Sequence, residues 1–277
     1  MKRREFFQSL ALISLLAPGL SLSASPLSPR AAVNWRSLLA ATALLFFHSS
    51  DGVCQSGQDL GTWNILNLRY GLTSKWSLFG EAQLRSLRLY DHFFYYEYKG
   101  GLLYRAHPDM VVGLAVGQYE TYGNNGDFVK PQVGSEFRIW PTVIMFHNYW
   151  KLRVEQRYRA EFRFTLNGYR NRFRYRIAFS YPLGNNKRGY QPFQLVAGDE
   201  IFMSERAPYF ERNRAFVSLS YKVSPKSTFL IGYLHQYDYR LTSQLSRDFL
   251  QVGYFLELSR KQMPAGGHEE LLKTSED

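Results

Sequence analysis

Between Lys151 and Phe164 the chain reads KLRVEQRYRAEFRF, with Lys151, Arg153, Glu155, Arg157, Arg159, Glu161 and Arg163 at the odd positions. The even positions hold Leu152, Val154, Gln156, Tyr158, Ala160, Phe162 and Phe164. Residues two apart share one face of a β-strand. This stretch therefore sets a row of guanidinium and carboxylate groups against a mostly apolar face. The chemistry open to such a row is ion pairing among its own members, or recognition of an anion by the arginines left over.

The same spacing recurs along the chain. Glu81 and Arg85, Glu97 and Lys99, Glu136 and Arg138, then Arg172, Arg174 and Arg176, and finally Glu200 with Arg212 and Arg214 fall on polar positions of alternating runs. Two readings follow. One is a plug of ion pairs and hydrogen bonds that rigidifies whatever encloses it. The other is a narrow pore or cavity whose positive excess favours a small anionic solute.

The alternative class is an enzyme or a barrel that binds a surface partner through its long loops, and catalysis has less support. A membrane hydrolase needs a nucleophile and a base within hydrogen-bond reach. The histidines are His48, His92, His107, His147, His235 and His268. The first and last lie outside the patterned region, His92 and His107 fall in connections, and His147 ends a strand. His235 alternates with Tyr233 and Tyr237 on the apolar side. No His-x-x-His pair, CxxC or glycine-rich phosphate loop occurs. The adjacent carboxylates Asp199 and Glu200 read most simply as partners for surplus arginine. The expectation is no enzyme, no metal and no cofactor.

The formal net charge of +11 raises the question of nucleic acid. Arginines interleaved with Tyr and Phe resemble a stacking platform, but strict alternation puts the two kinds on opposite faces. They cannot jointly hold one strand, so no nucleic-acid partner is expected.

The elements that must position these charges are strands. From Trp63 onward eleven alternating runs can be read: 64–72, 75–85, 95–105, 110–122, 135–146, 151–164, 172–183, 192–202, 213–223, 227–239 and 248–258. Many exceed the usual strand of about 5–6 residues and suit a tilted membrane crossing of about 9–11. The connections 73–74, 107–109 and 224–226 are short, whereas 86–92, 123–134, 166–171 and 240–247 are longer and polar. Such rim asymmetry marks up-and-down barrels of the outer-membrane type. The connection 184–191 breaks that pattern. Tyr and Trp recur near strand ends (Trp63, Tyr70, Trp76, Tyr122, Trp150, Tyr181 and Tyr239), as interfacial girdles require.

Alternation alone does not say which face is inside. A soluble sandwich turns its apolar face inward, and a membrane barrel turns it outward. Strand length, loop asymmetry and an export-like start favour apolar-out, with the charged row in the lumen. Aromatic residues make up 17% of the 277-residue chain, mean hydropathy is −0.32, and no apolar run long enough for a membrane helix follows residue 50.

Residues 1–59 read as export signal and linker. MKRREFF and the apolar QSLALISLLAPGLSLSA form one signal-like unit with a twin-arginine flavour, and Arg36 with SLLAATALLFF forms a second. The expectation is that the second unit is the working signal and translation starts downstream of Met1. Cys54, the single cysteine, follows Val53 and fits a lipidation site poorly. Residues 60–258 form the barrel. Residues 259–277 read as a polar tail, which places QVGYFLEL, similar to the terminal signal read by the barrel insertion machinery, inside the chain.

The series GTWNILNLRYGLTSKWSLFGEAQLR, EFRIW, LRVEQRYR, RFRYRIAFSYPL, AGDEIF and ERNRAFVSLSYKVS resembles the barrel family catalogued as domain of unknown function 2490. The likeness covers roughly residues 60–258. It implies a barrel in the outer membrane of a Gram-negative bacterium and no established activity. The fold expected is an all-β, antiparallel up-and-down transmembrane barrel of about 12 strands, with 10 as the alternative, because bacterial single-chain barrels are even-numbered. Its expected partners are outer-membrane lipid and the insertion machinery, with the oligomeric state open.

Overall fold

A computed structural model describes residues 59–123, 126–184, 192–241 and 244–259. The two signal-like units, Cys54 and all but the first residue of the polar tail lie outside the described residues. The rest is a closed β-barrel. Its strands are β1 (Gly61–Gly71), β2 (Trp76–Arg88), β3 (Asp91–His107), β4 (Met110–Tyr122), β5 (Gln132–Tyr149) and β6 (Leu152–Thr165). They continue as β7 (Gly168–Leu183), β8 (Phe193–Ser204), β9 (Phe210–Ser224), β10 (Ser227–Tyr239) and β11 (Gln244–Ser259).

Each strand pairs antiparallel with the next in the chain, and β1 closes the wall on β11. The described residues thus contain eleven strands, matching the eleven alternating runs rather than an even number. An odd meander brings its first and last strands together in the same direction. Accordingly β1 and β11 pair in parallel, with Trp63 opposite Gln251 and Arg69 opposite Glu257.

The expected rim asymmetry is absent. Strands β2 and β3 run on to a two-residue turn at Leu89 and Tyr90, and β6 and β7 to another at Leu166 and Asn167. Each rim carries one long connection, 123–131 on one and 184–192 on the other. The first tight turn places Tyr90 and His92 at φ 53° and 56°. In the second, Gly168 takes φ 98° and its carbonyl accepts a bond of 2.8 Å from the Thr165 hydroxyl. Ladder hydrogen bonds satisfy backbone groups that polar loop composition had suggested would be solvated.

Alternation sets the wall's two faces. In β6, Glu155, Arg157, Arg159 and Glu161 are buried inside, while Tyr158, Phe162 and Phe164 are exposed outside. Leu66, Leu78, Leu114, Phe173, Leu195, Val217 and Ile231 continue the outer apolar surface around the wall. Pro141 also points outward from β5. Having no N–H, it leaves a gap in the β5–β6 ladder between the pairs Ile139–Phe162 and Thr142–Arg159.

The interior is not uniformly polar. Trp63, Trp140, Phe202, Phe249 and Leu230 are each at most 1% exposed, and they share the bore with the charges. Inward glycines make room for the large rings. A Cβ on Gly117 would stand 2.7 Å from the Lys99 Cβ and 3.2 Å from the Trp140 ring, and one on Gly198 would stand 2.6 Å from Phe216. Trp63 therefore belongs to the core and not to an interfacial girdle. Tyr70, Trp76, Trp150, Tyr181 and Tyr239 do face outward.

Candidate functional site

The seventeen residues expected to line the lumen come together inside the barrel, most of them buried; Glu136, Arg153 and Arg212 are partly exposed. Two hydrogen-bonded networks organise them. On β6, β7 and β8, Glu161 meets Arg172 at 2.5 Å, Arg174 at 2.7 Å and Arg159 at 3.9 Å. Glu200 meets Arg174 at 2.7 Å, Arg157 at 3.0 Å and Arg214 of β9 at 3.8 Å. Arg174 therefore bridges the two carboxylates. Glu136 of β5 holds Arg138 at 2.7 Å and Arg163 at 2.8 Å.

The second network lies on β1, β2 and β3. Lys99 Nζ sits 2.7 Å from Glu81 and 2.9 Å from Glu97. Asn67 and Gln83 also donate to Glu81, at 2.8 and 2.6 Å. Arg85 donates to Glu97 at 3.0 Å, and the Tyr95 hydroxyl donates to the same carboxylate. The Trp63 indole N–H donates to Gln83 at 2.8 Å.

Rings hold the guanidiniums as well. Arg85 lies 3.4 Å from the Trp63 centroid, and Arg214 lies 4.7 Å from it. Arg138 covers Tyr119 at 3.6 Å, and Arg176 covers Phe216 at 4.8 Å. Arg153 lies over Phe146 at 4.0 Å, while Glu155 is 3% exposed. Cation–π attraction is strongest where both groups are desolvated. These inward rings were not assigned from the sequence, although Trp63 shares its parity in β1 with Asn67 and Arg69.

Together the side chains close the middle of the bore. Trp63, Arg69, Trp140, Arg157 and Glu161 are each at most 1% exposed, and the cavity among Arg69, Lys99, Trp140 and Arg159 measures about 20 Å³. At the rim formed by the ends of the even-numbered strands the bore opens into a vestibule of about 170 Å³.

Neighbouring residues in a strand face opposite ways, so Asp199 and Glu200 are not a working pair. Asp199 is on the outer face, where the Asn213 amide donates to both its oxygens at 2.9 Å. His235 is also outside, as its phase predicts, with Nδ1 2.7 Å from Asp248, which accepts from the Tyr233 hydroxyl at 2.6 Å. Asp199 and His235 are both register partners of Ala215, and His235 is opposite Asp248. Asp199, His235 and Asp248 thus stand at one level of the outer surface, with Ala215 between the first two.

Residues 60–247 match the model of a protein family of unknown function, DUF2490. The chain belongs to this family. No curated protein matches it. Among solved structures it is similar to one titled "NanC porin structure in rhombohedral crystal form", at 13% sequence identity and a TM-score of 0.44, over 73% of this chain and all of that one.

Proposed function

We propose that this DUF2490 chain is an outer-membrane barrel protein of a Gram-negative bacterium, exported by its N-terminal signal, whose bore is sealed by its own ion pairs and rings. The observation that carries the reading is the filled midsection around Trp63, Trp140, Arg157 and Glu161. Each of these side chains is packed by neighbours rather than by water.

The membrane setting is supported by the inverted distribution of polarity. Charges fill the interior, while Leu66, Leu114, Val116, Phe173 and Tyr254 are exposed around the outside. Contiguous exposed apolar surface on this scale suits lipid. Strands of 11 to 18 residues exceed the about 9–11 needed to cross a hydrocarbon core, so their ends project beyond it. Outer-membrane lipid and the barrel insertion machinery are the partners implied. No catalytic role is proposed, since Glu81, Glu97, Glu161 and Glu200 are each engaged by arginine or lysine.

The second reading is a narrow anion-leaning pore, favoured by the arginine excess at the vestibule. Single-channel recording of the refolded chain in a planar bilayer separates the two. A silent membrane, with folding established by heat-modifiable gel mobility, supports the sealed bore. Discrete steps whose reversal potential selects anions, weakened by Arg157→Glu, replace it with the pore.

A further inference from the structure

The charge of the vestibule is unbalanced. Nine arginines and three carboxylates line it. Three more carboxylates reach these arginines from behind: Glu161, Glu200 and Glu211. Even so, the guanidiniums outnumber the acids by three.

The excess is concentrated on β9 to β11. Arg214 donates through Nε to Gln236 at 3.0 Å and has Glu200 at 3.8 Å, beyond a close ion pair. Arg247 lies over the Phe94 ring at 5.0 Å, and Arg240 stands at the mouth beside it. Four guanidiniums, those of Arg172, Arg174, Arg212 and Arg214, surround the single ring of Phe202 at 4.5 to 5.7 Å. Arg172, Arg174 and Arg212 also donate to Glu161, Glu200 and Asp238, whereas the close acceptor of Arg214 is the neutral Gln236. A face-on ring attracts a cation but accepts no in-plane N–H, so Phe202 does not supply the missing counter-charge.

A further polar group waits on the opposite wall. The Tyr119 hydroxyl lines the vestibule, belongs to a residue 3% exposed, and makes no hydrogen bond among the described residues. A buried donor left unmatched is costly and points to a missing partner.

We propose that the vestibule is a binding site for a small oxyanion, a carboxylate or phosphate on a compact body, held by Arg214 and Arg247. The inference rests on the sealed-bore reading, which makes the vestibule a dead end rather than a passage. Planar guanidinium forks match carboxylate and phosphate oxygens bidentately. The volume suits a single ring, since a cavity of about 150 Å³ accommodates benzene, and Tyr95, Phe202 and Phe249 supply apolar wall.

The test is calorimetric titration of the full chain, refolded in detergent at constant ionic strength. The probes are inorganic phosphate and benzoate, with benzyl alcohol and benzylamine as neutral and cationic controls of similar size. The expected result is saturable heat for at least one anion and none for the controls. Arg247→Gln, at the partly exposed mouth, and Arg214→Gln each weaken it tenfold or more while heat-modifiable mobility is kept. Phosphate alone binding identifies a tetrahedral oxyanion group as the ligand; tighter benzoate identifies a ring-bearing carboxylate.

No saturable anion heat, or equal heat in both folded variants, overturns the proposal. Should a variant not fold, displacement decides in the unaltered chain: saturating phosphate abolishes the benzoate heat if the site is one, and additive heats overturn it. Conduction is measured separately. A barrel that conducts and still binds saturably fails the sealed-bore reading and retains the site, whereas a silent barrel that binds nothing does the reverse.

Discussion

Asp199 and Glu200 are consecutive in β8 and belong to different environments: the Glu200 carboxylate meets Arg157 and Arg174 inside the barrel, and the Asp199 carboxylate is held by Asn213 on the outside. The wall is one residue thick, so a single peptide step changes the surroundings from a buried ion network to the outer surface. The two positions therefore differ sharply in what they stabilise.

Glu200→Gln leaves Arg157 and Arg174 without their shared counter-charge in a buried setting. Removing one partner of a buried pair costs about 3–5 kcal/mol. Asp199→Asn keeps the size and an acceptor for Asn213 and loses only the charge assistance, at about 1 kcal/mol. Urea unfolding of the barrel refolded into lipid vesicles measures both. Equal costs would show that the inner network contributes no more than the outer pair.

Leu114 is 57% exposed in the middle of β4, on the outer face opposite Leu102 and Pro141. In a bilayer Leu114→Arg costs about 2–4 kcal/mol near the midplane. In a soluble sheet the same exposed change stays within about 0.5 kcal/mol. Vesicle-refolded stability distinguishes them, and a neutral result would remove this face from hydrocarbon.

Trp140 plugs the bore beside Gly117 and is 1% exposed. Trp140→Ala is expected to destabilise the barrel by about 3–5 kcal/mol and to admit ion leakage in planar bilayers where the unaltered chain is silent. Loss of stability with continued silence would mean that the surrounding arginines seal the bore without it.

At the vestibule rim, outside the strands, Glu205 accepts from the Asn171 side-chain amide at 2.6 Å and from its backbone N–H at 3.2 Å. These bonds hold its carboxyl below the ordinary value of 4.5. A depressed folded value contributes stability above the unfolded one, and that contribution is lost as pH falls through the folded value. The Asn171 amide should accordingly exchange faster with deuterium below about pH 4 than at pH 6, after correction for intrinsic rate. Glu205→Gln should remove the dependence; a flat profile in the unaltered chain would show that the contact does not order the turn.

Much of the barrel was legible in one dimension because strand geometry is local. A period of two residues assigns a face from the immediate neighbours, so KLRVEQRYRAEFRF already separated the inward Arg157 and Glu161 from the outward Tyr158 and Phe162, and His235 was placed outside by its phase alone. Asp199 obeys the same rule, its phase in β8 being opposite to that of Glu200. Connection 86–92 was harder: its polar residues are compatible with a loop, and only ladder bonds between β2 and β3 extend the strands through it.

What the sequence determined by itself was the set of strands, their two faces, and the excess of arginine over acid on the inner one. The tertiary structure decided which charges meet. Arg174 bridges Glu161 and Glu200 because three strands are held in one register, and Arg69 lies opposite Glu257 because eleven strands close with β1 parallel to β11. Alternation specifies a side of the wall, but stagger between strands specifies height along the bore. Ion pairs, rings and the space left at the vestibule all depend on height, which is set by contacts between residues far apart in the chain.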